Sequence, residues 1–138
     1  MAFRHELASG IALLLNSHSD LVCYLTAAHH GRVRLAIRSF PQELPPRDAA
    51  GLAIPDRRFA LGVWEGDRLP KIQLDDGEEF PATELDLSPI ELGTGPRGAS
   101  WTHRMLALRD APELGPFRLA FLEALLRAAD HLGSKVGQ

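Results

Sequence analysis

Residues 2–31 read AFRHELASGIALLLNSHSDLVCYLTAAHHG, and this stretch decides how the chain begins to fold. Apolar residues recur every three or four positions, which predicts one helix over about residues 2–15 and a second over about 21–29. The polar run between the two helices is typical of a turn. Either Ser19 or Asp20 has the side chain that a cap for the second helix requires.

The second helix ends in a pair of histidines, His29 and His30, followed by Gly31 as a suitable helix stop. Adjacent imidazoles at a helix end can present two neutral nitrogen ligands to one metal ion. A third histidine, His5, lies in the first helix, and Asp130 lies near the end of the last predicted helix. These three histidines and one aspartate predict a metal site with hydrolytic chemistry.

Each of these residues also has a structural interpretation. His29 follows the apolar stripe of its helix, where a buried histidine satisfied by hydrogen bonds is common. His30 can interact as a cation with the helix C-terminus. Asp130 can pair with Arg127, three residues earlier on the same helix. The residue pattern alone leaves both interpretations open.

The composition of the chain is that of one globular domain spanning residues 1–138. Apolar residues make up 45%, and no apolar run approaches the length of a membrane span, so we expect no membrane association. The single cysteine excludes an internal disulfide, and the N-terminus does not resemble a signal peptide. We therefore expect a cytoplasmic location. The net charge of −3 indicates no general attraction to nucleic acid.

A short basic row follows the double histidine. Arg32, Arg34 and Arg38 alternate with apolar residues over residues 32–38, which predicts an extended segment. Arginine can bind phosphate through two parallel hydrogen bonds, so this row is a candidate DNA contact. A solvated charged face is the alternative interpretation of the same pattern.

The rest of the chain predicts few regular elements before two further helices. Residues 40–100 are rich in proline and glycine and predict loops, interrupted by one small hairpin of residues 59–64 and 71–74. A third helix is predicted over about 101–109 and a fourth, the most apolar, over about 116–130. The predicted fold is therefore mainly α, a helical bundle with a small inserted β-hairpin.

Three blocks of this sequence, in this order, resemble a known family. Residues 3–9 (FRHELAS), 24–34 (YLTAAHHGRVR) and 125–130 (LLRAAD) are similar to the HD-type nuclease domain of the CRISPR-associated helicase-nuclease, the DNA-degrading effector of type I systems. Residues 85–88 (LDLS) and 101–110 (WTHRMLALRD) resemble its type I-U branch, also called I-G.

The resemblance implies a function and a set of site residues. It implies an HD-domain-like helical fold that cleaves single-stranded DNA in antiviral defence, using one or two transition-metal ions such as Mn, Ni, Co, Fe or Zn. His5, His29 and His30 match the ligands of one ion, and Asp130 matches the other metal position, with a catalytic role there. The implied partners are single-stranded DNA, a helicase portion and other effector subunits.

The His-Asp pair that names the superfamily does not occur in this sequence. Relative to the family, the domain is therefore expected to be N-terminally incomplete and to correspond to the C-terminal portion of the bundle. An alternative function follows, that of a catalytically inactive or partner-dependent interaction module. Helices missing from such a bundle leave exposed apolar surface, through which an oligomer can form.

Overall fold

The computed structural model describes residues 4–137, so Ala2 and Phe3 of the first predicted helix lie outside it. Four helices and several small antiparallel strand pairs form the fold, which is about 41% helical. The helices are α1 (His5–Leu15), α2 (Asp20–Ala28), α3 (Trp101–Asp110) and α4 (Gly115–Val136).

The first two helices form an antiparallel hairpin. The turn between them ends at Ser19, whose hydroxyl accepts a hydrogen bond from the backbone N–H of Val22. Of the two predicted caps, Ser19 is therefore the N-cap of α2, and Asp20 is its first residue. The helices approach closely at Gly10, where an added Cβ would lie 2.9 Å from the Cβ of Ala27. Because the helices run in opposite directions, this register places the start of α1 beside the end of α2.

The last two helices begin as the sequence predicts. The Ser100 hydroxyl caps α3 by accepting from the backbone N–H of His103, and Pro116 occupies the first turn of α4. In contrast to the prediction, α4 continues past Asp130 to Val136, since its final residues include no helix breaker stronger than one exposed glycine. Within residues 4–137, no helix has both the length and the apolar character needed to cross a membrane.

Short strand pairs occupy the central region. Each of them is antiparallel and only two residues long on either side. The strands are β1 (Phe59–Ala60) with β2 (Val63–Trp64), β3 (Arg68–Leu69) with β6 (Thr83–Glu84), β4 (Ile72–Gln73) with β5 (Glu79–Phe80), and β7 (Thr94–Gly95) with β8 (Gly98–Ala99).

The predicted hairpin of residues 59–64 with 71–74 is wrong. The first segment folds back on itself, because Leu61 and Gly62 both adopt positive φ (53° and 80°) and form a two-residue turn between β1 and β2. The second segment pairs with β5, in a region predicted to be loop. The secondary structure is therefore a mixture of helices and short strand pairs. The prediction of a mainly α bundle is correct only for its helices.

The hydrophobic core joins the helical hairpin to the later elements. Trp101 is the largest side chain buried in it, and its indole N–H donates to the backbone oxygen of Arg34 over 2.8 Å. The segment 32–38 forms no strand pair, although Val33 and Ile37 are buried in the core. Other buried members are Leu7, Ile11, Cys23, Ala27, Val33, Ile37, Ala60, Val63, Leu85, Leu87, Met105 and Leu119.

Candidate metal centre

Three histidines from the two ends of the helical hairpin converge. His5 opens α1, His29 follows α2 as its C-cap, and His30 comes next in the chain. One ring nitrogen of each lies within 4.8 Å of those of the other two. The structure thus brings together the three histidines that the sequence predicts as ligands of one ion.

The closest approach in this cluster is between the Nε2 atoms of His5 and His30, at 3.3 Å. Two nitrogens bound to one tetrahedral Zn²⁺ at about 2.0–2.1 Å lie about 3.3–3.4 Å apart. The same separation suits a hydrogen bond between two imidazoles. The spacing of the two nitrogens therefore fits a shared metal ion. It also fits a direct hydrogen bond between the two rings when no ion is bound.

A backbone contact fixes the orientation of His29. Its Nδ1 forms a hydrogen bond with the carbonyl oxygen of Thr26. A carbonyl can only accept, so Nδ1 carries the hydrogen, and in the neutral imidazole Nε2 then has the free lone pair. Histidines that bind a metal through one ring nitrogen commonly donate a hydrogen bond from the N–H of the other. This hydrogen bond holds the ligand nitrogen in place.

A buried carboxylate that the sequence analysis missed lies beside the cluster. Glu6 is only 2% exposed, and its Oε2 lies 3.7 Å from Nδ1 of His5. Its Oε1 has no hydrogen-bond partner within residues 4–137. The one sequence signal was its position directly after His5 in the first helical turn, where a carboxylate is favoured by the helix N-terminus for structural reasons alone.

The turn after the double histidine is closed by Gly31. Its φ is +73°, and its N–H donates to the carbonyl oxygen of Ala28 over 2.7 Å. A Cβ at this position would also lie 3.4 Å from a guanidinium nitrogen of Arg127 on α4. The turn that follows the two histidines therefore lies beside the side chain of Arg127 on α4.

Asp130 is not part of the histidine group. It lies on the exposed second half of α4, and the group of mutually close ligand atoms contains only His5, His29 and His30. Its backbone oxygen accepts a hydrogen bond from the Ser134 hydroxyl. A metal-binding or catalytic role for Asp130 stays a prediction.

The basic row divides into two environments. Arg34 donates from Nε and Nη2 to Oε1 of Glu123, which is 6% exposed and also accepts from the Tyr24 hydroxyl over 2.9 Å. Arg32 and Arg38 are exposed and form no ion pair within the part of the chain described. The guanidinium of Arg34 thus has a structural partner, whereas those of Arg32 and Arg38 face solvent.

Among the described residues, the cluster offers three ligand nitrogens, one fewer than a closed structural zinc site has. Three protein ligands leave at least one coordination position for water or substrate. His5 and His30 are exposed and His29 is half-buried, so the centre is open to solvent. A bound ion would therefore be within reach of a substrate on the protein surface.

No family model, curated protein or solved structure matches this chain.

Proposed function

We propose that this protein is a metal-dependent nuclease that hydrolyses phosphodiester bonds of single-stranded DNA, within a type I CRISPR effector. The observation that carries the proposal is the convergence of His5, His29 and His30, whose ligand nitrogens lie within 4.8 Å of one another. The metal site rests on this geometry. The reaction and its substrate rest on the resemblance to the HD-type nuclease domain.

The donor set fits a transition-metal ion. Imidazole nitrogen suits Zn, Fe, Ni and similar ions better than Mg, which prefers oxygen ligands. His5, His29 and His30 would hold the ion, and the carbonyl oxygen of Thr26 keeps His29 in the tautomer that a ligand needs. Such an ion polarises the P–O bonds of a phosphodiester and makes water a stronger acid.

The remaining residues supply binding and orientation. Arg32 follows His30 by two positions and is exposed, which supports a role in contacting a phosphate of the substrate. Glu6 supplies a buried carboxylate whose Oε2 lies 3.7 Å from Nδ1 of His5. In the reaction, a water oxygen bonds to phosphorus, one ester P–O bond breaks, and the leaving alcohol gains a proton.

Metal binding is tested directly by isothermal titration of the metal-free protein with Zn²⁺ and Mn²⁺. We expect binding at one site per chain, weakened at least about tenfold in His5→Ala and His30→Ala because each variant loses one of three ligands. The matched control is His103→Ala, since His103 is exposed on α3 and outside the cluster. The same titration is repeated with Ni²⁺, Co²⁺ and Fe²⁺, and absence of binding for all five ions would refute the site.

The reaction is tested with end-labelled single-stranded DNA and the metal-loaded protein. We expect cleavage by the wild type and by His103→Ala, and none by His30→Ala. If the protein binds metal but leaves the DNA intact, the nuclease assignment is wrong while the metal centre stands.

A second candidate function is that of an interaction module without catalysis. It is favoured by a separate observation, the run of exposed apolar side chains on α4, among them Phe117 and Phe121 at 89% and 63% exposure. An intact-DNA result in the cleavage assay would leave this function as the better supported one.

A further inference from the structure

The longest helix has two opposite faces, of which only one is used by the rest of the fold. Leu119 and Glu123 are buried against the body of the protein. The opposite face carries large apolar side chains that are 51% to 89% exposed. These side chains and one alanine form a stripe along the helix, called the outer stripe below. Its members are Phe117, Phe121, Leu125, Ala128, Leu132 and Val136.

The spacing of the outer stripe is symmetric. Successive members are four, four, three, four and four residues apart, so the pattern reads the same in both directions. Its centre falls between Leu126 and Arg127. Residues three and four apart share one side of a helix, so all six members form a single seam.

We infer that two copies of this chain pair through α4, in antiparallel orientation about a two-fold axis at the centre of the outer stripe. In this register Phe117 of one copy lies opposite Val136 of the other. Phe121 lies opposite Leu132, and Leu125 lies opposite Ala128. Every apolar member of one stripe therefore meets an apolar member of the other, as a two-fold interface between identical surfaces requires.

The exposed area of the two stripes reaches the lower end of what such an interface needs. If both stripes were fully covered, they would bury at most on the order of 1,300 Å², and stable protein–protein interfaces begin at about 1,200 Å². No charged residue lies within the stripe, and the nearest charges, Arg118 and Lys135, lie on its flanks. The antiparallel arrangement also opposes the two helix dipoles, which is favourable.

Light scattering coupled to size-exclusion chromatography tests the pairing. Across the micromolar range we expect the wild-type chain to have twice its 15.1 kDa mass, and Phe121→Glu and Leu125→Glu to have the single mass. The matched control is Gly133→Glu, which adds the same charge to α4 off the stripe, where nothing lies within 4 Å of an added Cβ. A monomeric wild type, or a dimer that survives both stripe variants, would overturn the inference.

Cysteine cross-linking tests the orientation. We expect a disulfide when Phe121→Cys and Leu132→Cys proteins are mixed, and none when either is oxidised alone. In the antiparallel register two copies of position 121 are separated by eleven residues along the helix, about 16 Å, whereas a disulfide requires Cα atoms within about 7 Å. Cys23 is fully buried and does not compete. Cross-linking of Phe121→Cys with itself would indicate parallel pairing and overturn the proposal.

Discussion

The thiol of Cys23 lies on the inner face of α2, where it is fully buried between the helices. Burial, together with the nearby charge of Asp20, raises the pKa of Cys23 to about 11, against an opposing effect of Arg104. The thiol is therefore protonated in the folded protein at pH values where an exposed thiol ionises.

This raised pKa predicts a loss of stability in alkali. The contribution of the buried thiol to the unfolding free energy is complete below the unfolded-state pKa near 9 and is lost as pH rises through about 11. In this pH range the thiol ionises in the unfolded chain but stays protonated in the folded protein. Between these values we expect the wild type to lose about 2 kcal/mol of unfolding free energy more than Cys23→Ala. Urea unfolding of both proteins at pH 8 and pH 11 measures the difference, and parallel pH profiles would contradict it.

At the scale of single residues, the sequence predicts part of the candidate centre. His5, His29 and His30 were predicted as ligands and do converge. Glu6 was missed because one glutamate in an amphipathic helix has the same pattern whether it faces solvent or the core. The partner of Arg34 was also missed, since Glu123 lies 89 residues away in the chain and no local pattern connects them.

At the scale of elements, the contact between α1 and α2 depends on Gly10. A Cβ there would lie 2.9 Å from Cβ of Ala27 and 3.3 Å from the carbonyl oxygen of Cys23. Neither neighbour is the end of a flexible side chain, so an added methyl group would push the helices apart. The small residue therefore sets the distance between the helices that carry the histidines.

We expect Gly10→Ala to destabilise the protein by about 1–2 kcal/mol, because overpacking outweighs the gain in helix propensity. It should also weaken metal binding, since separating the helices separates His5 from His30. The matched control is Gly133→Ala on exposed α4, which should stabilise by about 0.5–1 kcal/mol. Thermal unfolding and metal titration of both variants provide the measurements, and a stabilised Gly10→Ala would contradict the prediction.

The helices were predictable because each carries an apolar period over many residues, with Ser19 and Ser100 supplying recognisable caps. The strand pairs were not, because two residues are too few to show alternation. Even the turn at Leu61 and Gly62 was hidden, since leucine rarely adopts positive φ and gives no turn signal.

At the scale of the whole molecule, Glu123 connects three distant parts of the chain. It accepts hydrogen bonds from Tyr24 on α2 and from Arg34 in the following segment, and it lies on α4. Burial, with the hydrogen bond to Glu123, raises the pKa of Tyr24 to about 12, so the hydroxyl stays a donor. This node fixes the first half of α4 to the helical hairpin.

Removing the carboxylate should loosen that attachment. We expect Glu123→Ala to lower the unfolding free energy by about 2–3 kcal/mol, because it leaves the Tyr24 hydroxyl buried without its acceptor and Arg34 without its partner. The control is Glu113→Ala, an exposed glutamate, with an expected change within about 0.5 kcal/mol. Equal effects in a urea titration would contradict the assignment.

The short connection between α1 and α2 has a consequence for the order of events during folding. All three histidines belong to one local hairpin, and contacts between residues near in the chain close small loops and form early. The last of the three, His30, precedes the start of α4 at Gly115 by 85 residues. On the proposed metal site, we therefore expect an ion to bind to the folded hairpin before α4 packs against it.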